Sequence, residues 1–404
     1  MATLLGEGSY GLVIIRDGMA VKKFRKLSHL IQEYMALKYL DDCGNVVHTK
    51  GVDFANLELH MELYDCSLRK WLEETRQHSD VDQSDVMKIL HDILVGLVEL
   101  HDRELAHGDL KPGNVLIQKE PLRAVLGDCG FVSIAKYAKV ERTAPIYRDP
   151  VISHDSTHDM FSFGICFLEM IAEIKINRQA SYDELKDIVK EKITDPVYRK
   201  IIYNLVHEEK DRRPDARTTL FRLFKEDPPK WISSTINSSI ESSKSSQMTP
   251  IGSKELISTK GLKVLPVIDT TYPLPKQKAP VQSTMYSLPK QSSRVVISIL
   301  TDDRQYVRRL IKLTADEFGI NRAKKGYGAL LSFMDNHNIN SDLYRIYAAV
   351  TLMILSSIFG KSGFRENNVI ELCQNKYDKK FIYHILENLL SDSVFVGILL
   401  VPPF

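Results

Sequence analysis

The chain has 404 residues, of which 44% are apolar and 26% are charged, and its formal net charge is +2 at pH 7. This length exceeds that of one typical domain and predicts two domains with a connector. The near-neutral charge argues against nucleic acid or an anionic membrane as a partner, and we expect neither. Five cysteines without a CxxC pair argue against zinc sites and disulfides and indicate an intracellular compartment, cytoplasmic or nuclear.

We expect no secretory signal and no membrane-spanning segment. The first ten residues lack the basic start of a signal peptide. The longest apolar stretch, residues 346–359, is shorter than the roughly 20 residues that a bilayer span needs. We therefore predict a buried core helix at this stretch.

Composition divides the chain into three parts. Residues 1–226 carry glycine-punctuated strand patterns followed by helical ones. Residues 227–294 are rich in serine, proline and lysine, with eight serines between Ser233 and Ser246. Such a segment buries too little apolar surface to offset the entropy of ordering. We predict a flexible linker at 227–294 and a helical domain at 295–404.

A glycine-rich segment opens the first part. Glycine lacks a Cβ, so its backbone amide can approach a phosphate group closely, and the spacing predicts a nucleotide-binding loop. A plain glycine hairpin would give the same pattern, so this segment alone leaves both interpretations open. The segment consists of Leu5, Gly6, Glu7, Gly8, Ser9, Tyr10, Gly11, Leu12 and Val13.

Strands and a turn follow this loop. A tight turn at residues 17–18 leads into a predicted strand over residues 19–24. Alternate side chains of a strand share a face, so Ala20 and Lys22 point together while Lys23 points away. That face offers a small residue for a purine and an ammonium for phosphates. We therefore predict Lys22, rather than Lys23, as the phosphate ligand.

An amphipathic helix is predicted over residues 28–40. Leu30 and Leu37 lie on one face, and Glu33 lies on the same side. A glutamate at this position is either a solvated helix charge or the partner of Lys22 in an ion pair. The helix pattern by itself does not decide between the two.

The segment His107-Gly-Asp-Leu-Lys-Pro-Gly-Asn114 follows a predicted helix at residues 86–101, and Asp128-Cys-Gly130 lies further along the chain. The segment combines an aspartate, a lysine two positions on and an asparagine five positions on. One carboxylate can accept a hydroxyl proton, while the asparagine and the second aspartate can hold Mg²⁺. The spacing predicts a phosphoryl-transfer site.

These motifs resemble those of the eukaryotic protein kinase superfamily over nearly all of residues 1–226, in the pattern of its serine/threonine members. The resemblance implies an α+β, bilobal fold with a small β-rich lobe and a helical lobe. It also implies ATP and Mg²⁺ as cofactors and a protein as substrate. Asp109 would be the catalytic base with Lys111 beside the γ-phosphate, and Asn114 and Asp128 would hold the metal.

The same resemblance assigns further residues. Lys22 and Glu33 match the family's ion pair, Asp159 matches the start of the helix that anchors the catalytic loop, and Arg213 belongs to the closing motif. The additional ATP contacts that it implies, beside the glycine-rich segment, are Ala20, Met61, Glu62, Tyr64 and Leu116.

Three positions depart from the family pattern. Gly108 replaces the arginine that pairs with a phosphorylated activation loop, and Cys129 replaces the phenylalanine of Asp-Phe-Gly. Asp149-Pro-Val151 replaces Ala-Pro-Glu, so we expect Arg213 to lack its customary glutamate partner. The groups that touch ATP and metal remain, which favours an active kinase. The alternative is an ATP-binding pseudokinase that acts as a scaffold.

The C-terminal part is predicted to be helical, because apolar residues such as Ile346, Val350 and Ile354 recur at helical spacing. With Ala329-Leu-Leu and Glu387, it resembles a cyclin box. The resemblance implies a small all-α bundle that contacts the kinase helix carrying the glutamate and regulates the kinase in cis. The alternative is a helical module for another partner. A kinase fused to such a bundle also resembles products of large DNA viruses, which implies a viral origin.

Overall fold

The computed structural model describes the two predicted structured parts and little of the segment between them. It describes residues 3–8, 11–77, 82–131, 133–134, 145–150, 155–228, 286–287, 296–297, 320–337, 339, 343–359, 366–372 and 377–400. The predicted linker at 227–294 lies almost entirely outside the described residues and stays a prediction.

The first lobe is built on an antiparallel sheet. Its strands are β1 (Thr3–Gly8), β2 (Gly11–Arg16), β3 (Met19–Phe24), β4 (Thr49–Asp53) and β5 (Glu58–Met61). They are ordered β1-β2-β3-β5-β4. The turn between β2 and β3 has Asp17 and Gly18 at φ of 52° and 74°, the left-handed pair that suits a tight hairpin. The register pairs Val13 with Lys22 and thereby sets which side chains share a face.

Helix α1 (Leu27–Tyr39) packs beside this sheet and carries Glu33. It is buried on nearly every side, and Leu30, Ile31, Met35 and Leu37 are each at most 2% exposed. A helix that is apolar all round is covered on more than one side. The sheet alone therefore does not explain the burial of α1.

The second lobe is helical. Its helices are α2 (Leu68–Gln77), α3 (Gln83–His101), α4 (Ser156–Ile171), α5 (Tyr182–Lys192), α6 (Pro196–Leu205) and α7 (Ala216–Phe224). Helix α4 is buried along its length from His158 to Met170. A Cβ on Gly164 would lie 2.8 Å from the Cβ of Leu205, so glycine permits the close packing of α4 on α6.

Short strands in this lobe position the loops that face the first lobe. The strands β6 (Cys66–Ser67), β8 (Val115–Gln118) and β9 (Arg123–Leu126) form one small sheet, and β7 (Leu105–Ala106) pairs with β10 (Ser133–Ile134). The loop with Asp109 lies between β7 and β8, and Asp128 follows β9. Both acidic residues thus lie next to strand ends, at the same edge of the lobe.

The C-terminal residues form a group of packed helices. They are α8 (Ile320–Asn336), α9 (Tyr344–Phe359), α10 (Glu366–Leu372), α11 (Lys379–Ser391) and α12 (Ser393–Leu400), and we name these five helices the C-terminal unit. Ile346, Val350 and Ile354 are fully buried in it. Helices α9, α11 and α12 also pack against α1, and the buried apolar residues form one cluster with those of the first two lobes. Between the unit and α7, β11 (Tyr286–Ser287) pairs with β12 (Val296–Ile297).

Within the described ranges, no single helix is long and apolar enough to cross a membrane. Helices α11 and α12 would meet the requirement only as a pair, and they are bent by 77° at their junction.

Candidate active site

A cavity of about 440 Å³ lies between the first two lobes, a size that suits a small-molecule ligand. Strands β1 to β3, the segment after β5 and the loops around β8 and β9 supply its walls. The predicted ligands that line it are Leu5, Gly6, Gly11, Val13, Ala20, Lys22, Glu33, Met61, Glu62, Tyr64, Asn114, Leu116 and Asp128.

Leu12 is a predicted ATP contact that does not line the cavity, and the contact stays a prediction. Val13 lines the cavity and Leu12 does not, because neighbouring residues of a strand face opposite sides of the sheet. Glu7 is the strand partner of Leu12 across β1 and β2. Ser9 and Tyr10 lie outside the described residues, so their predicted contacts stay predictions.

Gly11 has a steric role that its place in a phosphate loop did not reveal. It pairs with Gly8 across the β1–β2 turn, and a Cβ there would lie 1.7 Å from the backbone oxygen of Lys23. At Gly6 a Cβ would meet nothing within 4 Å. Glycine at position 11 is therefore required by the approach of β2 to β3, whereas position 6 is open on the cavity side.

Several lining residues were missed by the sequence analysis. Most of them adjoin predicted ligands in the segment after Met61 or in the loops that hold Asn114 and Asp128. For most of them, proximity in sequence to a predicted ligand was thus the available signal. Val47 and Lys70, which lies in α2, are further from the motifs. The missed residues are Val47, Leu63, Asp65, Cys66, Ser67, Lys70, Gly113 and Gly127.

Lys22 forms ion pairs with two carboxylates at the cavity wall. Its Nζ lies 2.8 and 2.7 Å from the two carboxylate oxygens of Glu33 and 2.6 Å from Oδ1 of Asp128. Lys23, on the opposite face of β3, contacts Glu58 at 3.0 Å instead. Of the two alternatives that the sequence left open, Glu33 therefore forms the ion pair with Lys22. It is 2% exposed and is not a solvated charge.

The protonation of this triad follows from burial and charge. Burial opposes the ammonium of Lys22, but the carboxylates of Glu33 and Asp128 outweigh it and raise the pKa of Lys22. Burial raises the pKa of Glu33 to about 7, and Lys22 offsets this only in part. Desolvation also acts to raise the pKa of Asp128, but Lys22 outweighs it and the net pKa is lowered. Two carboxylates share one ammonium, so the more buried one keeps its proton to higher pH.

Asp109 is fixed by its neighbours in the same loop. Lys111 Nζ lies 2.6 Å from Oδ2 of Asp109, and Nδ2 of Asn114 donates to that same oxygen at 2.9 Å and to the Asp109 backbone oxygen at 2.8 Å. Asp109 is only 2% exposed. The lysine and the asparagine that were predicted from spacing thus hold the predicted base in one orientation.

Asp159, at the start of α4, anchors the loop that carries Asp109. Its carboxylate accepts from the backbone N–H groups of His107 at 2.7 Å and Gly108 at 2.9 Å. His101, which the sequence analysis missed, contacts the same carboxylate at 2.9 Å. Gly108 has φ of 78°, a left-handed conformation in which a Cβ is strained. Glycine at this position therefore relieves strain in the backbone that precedes Asp109.

Arg213 pairs with an aspartate in place of the customary glutamate that the sequence analysis expected it to lack. Its guanidinium pairs with the carboxylate of Asp149, and both side chains are at most 1% exposed. The hydroxyl of Tyr182 donates to the same carboxylate at 2.6 Å. Asp149 stands before the proline of its motif, whereas the family's glutamate follows it, so alignment by motif position did not show that the aspartate can reach Arg213.

A second buried carboxylate holds the neighbouring tyrosine. The hydroxyl of Tyr147 donates to Oε2 of Glu169 at 2.8 Å, and Arg69 from α2 donates to the same oxygen at 2.9 Å. The backbone N–H of Ile176 donates to Oε1. Residues 145–150 are thus fastened to α4 through Tyr147 and to Arg213 through Asp149. The sequence analysis did not single out Tyr147, Glu169 or Arg69.

Comparisons with known proteins identify the family of the first part of the chain. The family described as the protein kinase domain matches residues 2–241, more than half of the chain, and the chain belongs to that family. The two lobes described above are the part of the chain that this family covers. The matched region stops short of the C-terminal unit, so the resemblance of that unit to a cyclin box stays a prediction.

Three curated relatives illustrate the similarity. The chain is 31% identical over 195 residues to the mitosis inhibitor protein kinase wee1 of Schizosaccharomyces pombe, covering 43% of this chain and 22% of that protein. It is 24% identical over 260 residues to the probable serine/threonine-protein kinase kinY of Dictyostelium discoideum (52% and 44%). It is 29% identical over 184 residues to the serine/threonine-protein kinase cst-1 of Caenorhabditis briggsae (41% and 37%). The chain spans less than half of each relative, and none of the three supports the expected viral origin.

Proposed function

We propose that this protein is a serine/threonine protein kinase that transfers the γ-phosphate of ATP to hydroxyl groups of a protein substrate. The observation that carries the proposal is the convergence of Lys111 and Asn114 on the buried carboxylate of Asp109, since Asn114 also lines the cavity. The names of two relatives, which are serine/threonine-protein kinases, support the choice of acceptor.

Asn114 and Asp128 would hold Mg²⁺ in this site. Both line the cavity, and amide and carboxylate oxygens are the ligands that Mg²⁺ prefers. The ion, when bound, neutralises charge on the phosphate oxygens. Lys22, which Glu33 holds at the cavity wall, would orient the phosphates through its ammonium.

Asp109 would act on the substrate hydroxyl. Its carboxylate accepts hydrogen bonds from Lys111 and Asn114 on one oxygen, Oδ2, which keeps the side chain from rotating away. A carboxylate fixed in this way accepts the hydroxyl proton as the phosphoryl group is transferred. The anchoring of the loop by Asp159 fixes the position of Asp109 relative to the cavity.

A pseudokinase scaffold is the second candidate. The departures at Gly108 and Cys129 motivate it, since both positions usually help to hold the active arrangement. A scaffold has no physical need for a base and two metal ligands, however, and here the ion pair between Lys22 and Glu33 is formed at 2.7 Å. These observations favour catalysis.

We further propose that the C-terminal unit is a cyclin-like bundle in intramolecular contact with the kinase domain. The packing of α9, α11 and α12 on α1 supports the contact. The cysteine usage and near-neutral charge support an intracellular location, in cytoplasm or nucleus, without nucleic acid or membrane as partner.

The test is phosphate transfer by the full chain from γ-labelled ATP, with Mg²⁺, to a generic basic protein. Acid hydrolysis of the product should release phosphoserine or phosphothreonine. Labelled phosphotyrosine alone would overturn the serine/threonine assignment, and ATP binding without any transfer would favour the scaffold.

A further inference from the structure

The first turn of α2 carries two cationic residues, Arg69 and Lys70, and no acidic one. The helix dipole places partial positive charge at this end, so cations here are opposed by the dipole and acidic residues would be stabilised. The sequence therefore goes against helix stability at this turn. Such departures from a local rule are expected where a residue serves a function or has a partner elsewhere in the fold.

Arg69 has a partner in the fold that explains its charge. Its guanidinium donates to Oε2 of Glu169 at 2.9 Å and to the hydroxyl of Tyr147. Glu169 is fully buried, and both of its carboxylate oxygens accept hydrogen bonds, from Arg69 and Tyr147 on Oε2 and from the backbone of Ile176 on Oε1. The charges of Arg69 and Glu169 are thus neutralised inside the fold, and Glu169 is closed to a cationic side chain of a substrate.

Lys70 has no comparable partner in the fold. Its side chain is 65% exposed, yet the residue lines the cavity together with Ser67 and Gly113, so it lies at the open edge. Its Nζ is 3.7 Å from Oε1 of Glu74, which is longer than a hydrogen bond. A lysine ammonium carries three N–H donors, and at this distance Glu74 does not engage them.

Two acidic residues share this edge with Lys70, and Lys119 binds both. Its ammonium lies 2.9 Å from Oε2 of Glu74, and its backbone N–H donates to Oδ2 of Asp65 at 2.7 Å. Glu74 is therefore held by the closer of two lysines. An anion that arrives from solvent can bind Lys70 without first displacing a hydrogen-bonded carboxylate.

Helix α2 also places Lys70 next to the catalytic loop. The helix packs against the turn Pro112–Asn114, and Gly113 of this turn lines the same cavity as Lys70. Asn114, the last residue of the turn, donates to Oδ2 of Asp109 at 2.9 Å. A substrate whose hydroxyl lies at Asp109 therefore has neighbouring residues of its own chain within reach of the edge that carries Lys70.

We propose that Lys70 determines substrate specificity by binding an anionic side chain of the protein substrate, a few residues from the hydroxyl that receives the phosphate. The proposal rests on the proposed kinase activity and names the substrate class for that same site. A carboxylate of aspartate or glutamate and the phosphate of a previously phosphorylated residue share the required chemistry. A cationic side chain at the same place meets the closed carboxylate of Glu169 and is repelled by Lys70.

The experiment uses the full chain with Mg²⁺ and ATP, and flexible peptides that each hold one acceptor serine. One further position, from four residues before the serine to four after it, is aspartate, asparagine, phosphoserine or lysine. At the best position we expect kcat/KM for the aspartate peptide to exceed that for the asparagine peptide by about fivefold at low salt, the upper end for an exposed ion pair. The preference should fall in about 1 M salt, where screening is strong.

Lys70→Glu should reverse the preference, so that the lysine peptide becomes a better substrate than the aspartate peptide. The substitution puts an acidic residue in the first turn of α2, which the helix dipole favours. Lys175→Glu is the matched control, because Lys175 is a half-exposed lysine that pairs with Glu73 of the same helix at 3.0 Å and is not among the described residues that line the cavity. It makes the same change of charge and should keep the preference for aspartate.

An unchanged preference in Lys70→Glu would overturn the proposal, and so would an equal loss of preference in both variants. A raised KM for ATP in Lys70→Glu with an unchanged peptide ratio would also contradict it, because Lys70 would then act on the nucleotide. A preference for phosphoserine over aspartate, lost in Lys70→Glu, would support the proposal and identify the anion as a phosphate.

Peptide binding separates this proposal from the proposed function. The affinities of fluorescein-labelled aspartate and asparagine peptides for the full chain are measured by anisotropy with a non-hydrolysable ATP analogue. If the chain transfers no phosphate, the proposed function fails, while tighter binding of the aspartate peptide that is lost in Lys70→Glu still supports the role of Lys70. Equal binding of the two peptides would contradict that role.

Discussion

The guanidinium of Arg213 and the carboxylate of Asp149 form an ion pair that is closed to water, with the side chains 0% and 1% exposed. This pair ties the segment before α4 to the end of the helical lobe. It does so with an aspartate that stands two positions before the place where the family's motif has its glutamate. Residues 145–150 are therefore held in place despite the altered motif.

Replacing Asp149 by alanine should destabilise the protein by about 3–5 kcal/mol, because it leaves the charge of Arg213 buried and unpaired. Chemical denaturation of the two proteins measures the difference. Asp183→Ala is the matched control, since it removes an exposed pair with Lys186 and should cost no more than about 1 kcal/mol. Equal losses in the two variants would show that the buried pair has no special weight.

Gly108→Ala should destabilise the protein by about 1–2 kcal/mol, because φ of 78° places the new Cβ in the strained left-handed region. Gly44 is the control, because a Cβ there would meet only Glu99 Oε1 at 3.9 Å and its φ lies outside the left-handed region. Gly44→Ala should change stability by no more than about 0.5 kcal/mol. Denaturant midpoints report both values. A neutral Gly108→Ala would mean that the backbone before Asp109 relaxes without cost.

The two glycines Gly6 and Gly11 should respond differently to alanine. At Gly11 the new methyl would lie 1.7 Å from the backbone oxygen of Lys23, so β2 and β3 must separate and thermal stability must fall. At Gly6 a methyl meets nothing within 4 Å, so we expect the thermal stability to be unchanged. The effect of this variant on ATP binding is measured separately. Thermal melts of both variants check this, and a stable Gly11→Ala would contradict the observed strand spacing.

His158 should make stability sensitive to acid. It is 1% exposed, and neither ring nitrogen has a hydrogen-bond partner among the described residues. Burial lowers its pKa, which Asp159 and Asp149 offset only in part. The neutral form is therefore the one that folding favours. Its contribution is complete above about pH 6.5, the unfolded value, and is lost as the pH falls towards the folded pKa.

The corresponding measurement is the melting temperature between pH 7 and pH 5. His158→Leu should flatten its decline relative to the unmodified chain. If His158→Leu shows the same slope as the unmodified protein, protonation of this ring does not contribute to acid sensitivity.

The site could be read from the sequence where local rules decide geometry. Strand alternation separated Lys22 from Lys23, and the spacing of Asp109, Lys111 and Asn114 placed them in one loop. These features depend on neighbours a few residues away. Asp149 could not be assigned to Arg213 because their contact joins segments that are distant along the chain and depends on how residues 145–150 fold.

The contact between α1 and the C-terminal unit was expected only through resemblance, although α1 itself contained a signal. Ile31, Tyr34 and Met35 add apolar residues on the side away from the sheet, and a helix covered on one side would carry polar residues there. The pattern indicates that something covers this face, but it does not identify the occupant. That identity depends on the packing of residues more than 300 positions later in the chain.

The measurement that bears most directly on catalysis is single-turnover phosphate transfer by the full chain and by Asp109→Asn, with ATP binding measured in parallel. The amide keeps the shape of the carboxylate but cannot accept the hydroxyl proton. We predict nearly equal ATP binding and a transfer rate at least about a hundredfold lower in Asp109→Asn. A protein that binds ATP and transfers phosphate no faster than its Asp109→Asn variant would contradict the assignment of Asp109 as the base.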